Sequence, residues 1–428
     1  MRLHRFLIGQ TEVLLSDVLK FDNLAKVITS KFFYAHPKLG RVDRSLISEA
    51  IFAVLRRKME YEYLAERGSG TLARRLALLG LMQVAGLNAL RLHVSQQELI
   101  WLNYVSKIDP TSLPTRVRTN LPLWIESIVR QRLATIVAKP NAVEQELLQL
   151  TSSLNHPAPL DLRVNSIRAH RNEVLTALTR SYVRAEPTPY APLGIRVLGK
   201  PAVHMMPAFQ QGWFEVQDEG SQLLCELVAP QHGEMVVDFC AGVGNKTLAL
   251  GAMMRSSGRL YAFDVSEKRL DQIKCKIARS GLSNVHLVAI DSEHDIKIKR
   301  LAGKIDRALV NAPCSGLGTL RRNPDLKWRQ TPQVVSELAV KQISILASAA
   351  QLLRLGGRLV YATCSFLGDE NESIVEQFIA ADPKFKRIAV SQVLVDQKIA
   401  LNTGDNLTLW PHQHGTDGFF AAVMQRVF

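Results

Sequence analysis

Two cysteines follow short apolar runs in settings that suit a nucleophile. Cys314 stands in Val310-Asn311-Ala312-Pro313-Cys314-Ser315-Gly316, and Cys364 in Val360-Tyr361-Ala362-Thr363-Cys364-Ser365. Upstream, Asp238-Phe239-Cys240-Ala241-Gly242-Val243-Gly244-Asn245-Lys246-Thr247 reads as a strand entering a glycine loop. A thiolate attacks electron-poor carbon, and glycines let backbone approach a ligand closely. The combination points to group transfer with a covalent step. Thiolate nucleophiles need an electropositive, partly exposed setting, and Lys246, Arg321 and Arg322 could supply that field. Cys225, Cys240 and Cys275 read as small core residues.

The spacing Gly242-x-Gly244 is short of a full dinucleotide fingerprint, and no phosphate-loop Gly-Lys-Ser/Thr follows. A tight turn explains it equally well. Asp264, ending the next apolar run, is placed to accept ribose hydroxyls. Asp291, ending the third, could reach an adenine amino group or could cap the helix that follows. No Cys/His set has metal-ligand spacing. His412 and His414 lack an acid or Cys to complete one, and a solvent-facing loop is expected there.

These residues need strands to carry them. Met235–Phe239, Arg259–Asp264, Val285–Asp291, Asp306–Asn311 and Gly357–Ala362 are apolar runs separated by helical patterns. That alternation predicts a doubly wound, mostly parallel α/β sheet. Ligands bind beyond the carboxyl ends of such strands, and four of the five runs end in or beside Asp or Asn. Phe419–Met424 predicts a closing strand. Before this region, Leu160–Asn165 and Ile195–Leu198 alternate like strands around a helical stretch at Arg168–Leu178, predicting a small α+β module, with Pro201–Gly212 as a linker.

Residues 1–145 read as helices. Apolar residues at 46, 47, 50, 51, 54 and 55 follow helical spacing, and Arg74–Leu90 and Leu123–Val137 are further candidates. This part is basic: residues 1–150 hold 21 Lys and Arg against 13 Asp and Glu, over half of the net +14. Such a surplus favours nucleic acid. The longest apolar helix is too short to span a bilayer. Odd, scattered cysteines argue for free thiols in a reducing compartment, hence a cytoplasmic protein. A monomer is expected.

The chain resembles the Sun family of bacterial small-subunit ribosomal RNA cytosine-5 methyltransferases. The resemblance is carried by Val216-Gln217-Asp218-Glu219-Gly220-Ser221-Gln222, the Asp238–Thr247 loop, Ala312-Pro313-Cys314-Ser315-Gly316, Arg321-Arg322-Asn323-Pro324-Asp325, Ala362-Thr363-Cys364-Ser365 and Thr416-Asp417-Gly418-Phe419-Phe420. It implies a Rossmann-like methyltransferase domain at 213–428, a helical NusB-like RNA-binding domain at 1–145 and the small module with its linker at 146–212. It implies S-adenosylmethionine as cofactor, lying over Cys240, Ala241, Gly242, Val243, Gly244, Asn245, Lys246, Asp264, Asp291 and Asn311. Cys364 is then the nucleophile on carbon 6 of cytosine, Cys314 serves product release, and Lys246 and Asn311 contact the flipped base. Ribosomal RNA is the implied partner, with no membrane and no metal. A DNA enzyme of the same chemistry is expected to use Cys314 instead. The family has Pro, Gly and Asp where this chain has Val243, Asn245 and Asn311. Asn245 is expected to crowd the cofactor, and Asn311 cannot carry a carboxyl proton. A chain that binds RNA with weakened catalysis is therefore the second reading.

Overall fold

The computed structural model describes residues 3–136, 140–199 and 201–428. It divides into two compact units. One comprises Met1–Pro157 together with Thr319–Thr331, the other Ala158–Gly318 with Pro332–Phe428. The division falls at Pro157, because the helix Pro140–Leu154 runs straight through the expected boundary at 145.

The first unit is helical among its described residues. The helix Arg41–Arg56 buries Leu46, Ile47, Ala50, Ile51, Val54 and Leu55, the six positions that its spacing selects. It packs on Leu72–Ala85 closely enough that a Cβ on Gly80 would stand 2.7 Å from the Ala50 carbonyl oxygen. The expected helix Arg74–Leu90 is broken at Gly86, whose φ of +82° ends Leu72–Ala85 before a short turn at Leu87–Leu90. The helix expected to reach Val137 spans Leu123–Ile136, and Val137 itself lies outside the described residues.

A strap from far along the chain completes this unit. Trp328 packs against its core and donates its indole N–H to the Leu55 carbonyl at 2.9 Å. Lys327 Nζ donates to the Arg56 carbonyl at 2.7 Å, and Arg56 donates to the Arg321 carbonyl at 2.9 Å. The Asp325 carboxylate accepts the Ala25 amide at 3.1 Å, at the start of the helix Ala25–Ala35. Lys58 lies over the Trp328 ring at 5.1 Å. Arg321 and Arg322, expected beside the cysteines, thus belong to the unit that excludes them.

The second unit holds two sheets. The smaller has β1 (Leu160–Val164), β2 (Ala185–Pro187), β3 (Gly194–Val197) and β4 (Phe214–Val216) in the order β2-β3-β1-β4. Its β4 comes from beyond the expected module boundary at 212. Pro201–Gly212 is no open linker: it forms the turns Val203–Met205 and Pro207–Gln210, and its Val203, Met206 and Ala208 join the module's core. On β1 the alternating polar residues do not face water. Asp161 pairs with Arg196 at 2.8 Å, and Arg163 reaches the Asn245 carbonyl at 2.7 Å.

The larger sheet contains β5 (Met235–Asp238), β6 (Arg259–Asp264), β7 (Val285–Ala289), β8 (Ile305–Asn311), β9 (Leu353–Thr363), β10 (Phe385–Ile388), β11 (Asn406–Leu409) and β12 (Phe419–Arg426). Its order is β10-β12-β9-β8-β5-β6-β7, with β11 paired to β12. Strands β5 to β9 are parallel, and β12 runs antiparallel beside β9. Side chains alternate between two buried faces. Val237, Ala308, Val310, Leu359 and Tyr361 pack under the helices Pro332–Leu352 and Glu372–Ala381, whereas Val236, Leu309, Val360 and Ala362 pack under Glu219–Val228. Burial on both faces explains why these strands read as continuous apolar runs.

Candidate active site

The strand order reverses between β5 and β8, the position where open parallel sheets receive ligands. Along this edge Asp264 ends β6, Asp238 ends β5, Asn311 ends β8, and β9 ends at Thr363, just before Cys364. At about 4.8 Å per strand the four tips span roughly 14 Å.

The Cys314 and Cys364 sulfurs lie 3.4 Å apart as free thiols. Hydrogen bonding from the Cys314 thiol holds Cys364 below the ordinary thiol range. Burial opposes this and the nearby Lys246 charge assists it. The same hydrogen bond, burial and the Glu370 carboxylate push Cys314 well upward. The two shifts run in opposite directions, so Cys364 is the thiol that ionises more readily. The loops that carry them interlock. Gly318 donates to the Cys364 carbonyl at 2.8 Å, and the Gly318 carbonyl accepts the Gly418 amide at 2.8 Å. A Cβ on Gly318 would stand 2.1 Å from the Gly418 oxygen, so the terminal Thr416–Phe420 motif serves packing of the cysteine loops.

The other cysteines divide. Cys225 and Cys240 are thiols raised by burial, Cys225 to about 12. Cys275, expected in a core, is exposed on the helix Glu267–Ser280, whose buried side is formed by Leu270 and Ile273.

The glycine loop has both of the properties its spacing suggested, one at each glycine. Gly244 (φ +84°) closes a tight turn onto the Ala241 carbonyl, and a Cβ there would meet Ile273 at 2.7 Å. Gly242 (φ +58°) faces open space, and its amide donates to Asp264 at 2.8 Å. Asn245 takes ordinary helical backbone at the start of Asn245–Met253, so losing glycine costs no strain there. Its side-chain oxygen accepts a hydrogen bond from Lys276 at 3.1 Å, and Lys276 also holds the Val243 carbonyl. The Asn245 side chain is thus tethered at the start of the helix.

Asp264 accepts the amides of Gly242 and Ser266 and pairs with the half-exposed Arg269 at 2.9 Å. A carboxylate has about four acceptor positions, so capacity remains for a ribose hydroxyl. Asp291 lies two residues beyond β7 and is exposed. It does not cap the following helix: Asp295 does, through the Lys297 amide, and also captures the Asp291 amide. Asn311 is half-buried at the tip of β8, opposite Ala362 of β9. His412 and His414 sit in a one-turn helix, with His414 against Tyr190. Among the described residues no group of three potential ligands could hold a metal.

Sequence reasoning passed over Asp238. Its Oδ2 accepts the Thr247 hydroxyl at 2.7 Å, while its buried Oδ1 has no hydrogen-bond partner. Burial raises its pKa to about 6. A buried, unsatisfied carboxylate oxygen below an open glycine fits a ligand with a cationic amine, which S-adenosylmethionine is. Cofactor affinity is expected to rise with pH through about 6, as Asp238 ionises, and to fall roughly tenfold or more in Asp238→Asn. Calorimetric titration from pH 5 to 8 checks this, and a flat profile refutes it. Folding responds in the opposite sense. The folded pKa exceeds the ordinary 3.8, so this group's contribution to stability is lost as pH rises through the same window.

The Val216–Gln222 motif is wiring. Gln217 accepts Arg163 at 2.5 Å, Asp218 accepts the Asp417 amide at 3.1 Å, and Glu219 accepts the Tyr190 and Ala191 amides. Together these contacts join the small sheet to the cysteine loops.

The comparisons agree with this geometry. Residues 225–425 match the model of the 16S rRNA methyltransferase RsmB/F family, and residues 140–204 match the RsmF/B-like ferredoxin-like domain. The chain is 29% identical to the probable ribosomal RNA small subunit methyltransferase B of Synechocystis sp., over 97% of this chain and 98% of that protein. It is 33% identical to ribosomal RNA small subunit methyltransferase B of Yersinia pestis, over 70% of this chain and 65% of that protein. In fold it is similar to PH0851 (TM-score 0.75, 23% identity, 99% of this chain and 98% of that one). It is also similar to NSun6 from Pyrococcus horikoshii, solved with SFG (TM-score 0.60, 21% identity, 70% and 98%). With the thiol pair and glycine loop on one sheet edge, the chain belongs to the Sun (RsmB/F) family of S-adenosylmethionine-dependent small-subunit ribosomal RNA methyltransferases.

Proposed function

We propose that this protein methylates carbon 5 of a cytosine in small-subunit ribosomal RNA through a covalent adduct on Cys364. The observation that carries the reading is the pair of free thiols whose sulfurs lie 3.4 Å apart, with Cys364 shifted towards ionisation and Cys314 away from it. A base must leave its stack to reach two sulfurs at a sheet edge, so an unpaired stretch of RNA is the target. The Cys364 thiolate attacks carbon 6, and the ring electrons move to carbon 5, which becomes nucleophilic. When bound, S-adenosylmethionine supplies an electrophilic methyl group to that carbon. Once Cys364 is a neutral thioether, it no longer accepts the Cys314 hydrogen bond or repels a second negative charge. These are two of the causes that hold the Cys314 proton. Cys314 then ionises more readily and takes the carbon-5 proton. The carbon 5–carbon 6 double bond re-forms as the Cys364 bond breaks. The geometry thereby times the second thiol by the first.

Incubation with labelled S-adenosylmethionine and unmodified small-subunit ribosomal RNA, scored as 5-methylcytosine, tests the proposal. Label in another position or in DNA alone refutes it.

Asn311 favours the second reading, a protein that binds RNA with weakened catalysis. At the tip of β8 it can donate one hydrogen bond to a base edge and accept another, but it brings no charge. A charge-assisted hydrogen bond is worth about 1.5–3 kcal/mol, so Asn311→Asp is expected to speed methyl transfer roughly ten- to a hundredfold. An unchanged rate means that the amide serves as well as the acid.

A further inference from the structure

Glu370 lies six residues after Cys364 and is fully buried. Its carboxylate is held by hydrogen bonds from both cysteine loops. Its Oε1 accepts the Ser315 amide at 2.7 Å and Gln342 Nε2 at 3.2 Å. Its Oε2 accepts the Ser315 hydroxyl at 2.6 Å and the Ser365 hydroxyl at 2.5 Å. Each cysteine is followed directly by one of these serines, and the two hydroxyls are themselves 3.2 Å apart. The clamp is anchored in turn: Tyr361 donates to the Glu370 carbonyl at 2.6 Å, and Gln342 also holds the Pro313 carbonyl at 2.8 Å. One carboxylate thus ties the residue after Cys314 to the residue after Cys364.

We propose that Glu370 is a positioning residue, which holds the two cysteine loops at the separation where the Cys314 thiol hydrogen-bonds Cys364. This deepens the covalent reading above and rests on it for its catalytic meaning. The carboxylate's own charge disfavours ionisation of Cys364. A clamp is therefore kept at an electrostatic cost, which the hydrogen bond from Cys314 outweighs. A merely structural acid predicts the opposite sign when its charge is removed: Cys364 would become more acidic.

The test is the pH dependence of Cys364 alkylation by iodoacetamide, read by peptide mass spectrometry on the full chain without RNA or cofactor. In Glu370→Gln one of the two acceptor oxygens becomes an N–H donor facing other donors, and Cys364 is expected to alkylate about tenfold more slowly at pH 7, the change that a one-unit rise in thiol pKa produces. Ser365→Ala removes one arm only, leaves the charge, and is expected to slow alkylation severalfold. It also supplies the readout if Glu370→Gln does not fold. Asp369→Asn, at the exposed neighbouring position, is expected to change nothing. A folded Glu370→Gln, or Ser365→Ala in its place, with an unchanged or acid-shifted profile overturns the proposal. Because this assay needs no methyl transfer, it separates failure of the clamp from failure of the covalent reading, which Cys364→Ala tests independently.

Discussion

Replacing Cys364 by alanine is expected to reduce methyl transfer by at least about 10³-fold, because it removes the thiol that forms the bond to carbon 6. The same change abolishes the stable complex with RNA containing 5-fluorocytosine, which traps the carbon-6 adduct because fluorine cannot leave as a cation. Cys314→Ala behaves differently. Cys364 loses its hydrogen-bond donor, so the attack slows, but the nucleophile remains. An adduct with ordinary RNA then accumulates, since the group that takes the carbon-5 proton is gone. Denaturing gels of each variant with labelled RNA give the answer. An adduct lost with Cys314→Ala and retained with Cys364→Ala reverses the assigned roles and favours the arrangement expected for a DNA enzyme. The opposite shifts argue against that outcome: the hydrogen bond between the thiols and the Lys246 charge lower Cys364, whereas the same hydrogen bond raises Cys314.

Trp328→Ala is expected to destabilise the helical unit by roughly 2–3 kcal/mol, below the usual cost of deleting a fully buried aromatic side chain because Trp328 is partly buried against the core. Trp328 lies far outside the first 157 residues in sequence yet packs with their core and satisfies the Leu55 carbonyl at the end of the helix Arg41–Arg56. Hydrogen exchange resolved by segment checks it: protection should fall across Arg41–Arg56 while β5 and β8 keep theirs. Equal loss in both regions means that the strap does not stabilise this unit selectively. Lys327 adds a pH signature. Burial depresses its pKa from 10.5 to about 7. The unfolded chain therefore binds the proton more tightly than the folded one. The stability of this unit should rise as pH increases from about 7 towards 10 and be lowest once Lys327 is protonated in both states.

The strap also shows a role of the Arg321–Asp325 motif that local spacing does not reveal. Arginines seven and eight residues after Cys314 suggest a field for the thiol. The backbone instead leaves the methyltransferase unit after Gly318 and returns at Pro332. Asp325 and Lys327 are held by main-chain groups of helices from the first 60 residues, and no local pattern announces a partner about 270–300 positions away. Lys246 was legible for the opposite reason. It stands two residues past Gly244 on a loop whose strand was evident, so local spacing carried it to the correct sheet edge.

Within the sheet, apolar runs and their terminal Asp and Asn residues were enough to predict five parallel strands and a shared edge, because a two-sided sheet makes burial continuous along each strand. Short β10 and β11 were missed: Phe385–Ile388 and Asn406–Leu409 mix polar with apolar residues, so no continuous apolar run like that of Met235–Asp238 marks them. The small module's β1 was recognised by alternation, but its polar face is buried by Arg196, Gln217 and the cofactor loop rather than by water.

Residue type and spacing alone pointed to group transfer, to a Rossmann-like sheet and to one strand edge shared by the site residues. These depend on local periodicity and on which atoms a side chain carries. The tertiary structure decided the rest. It set the 3.4 Å approach of two thiols fifty residues apart, the opposite directions of their shifts, and the burial of Asp238 and Glu370. An acid's role depends on what surrounds it. Asp264, Asp238, Asp291 and Glu370 are alike as letters, but one ties a loop, one is left unsatisfied for a ligand, one is solvated and one clamps two loops. Solvation and hydrogen-bond partners arise from long-range packing, which a linear pattern does not carry.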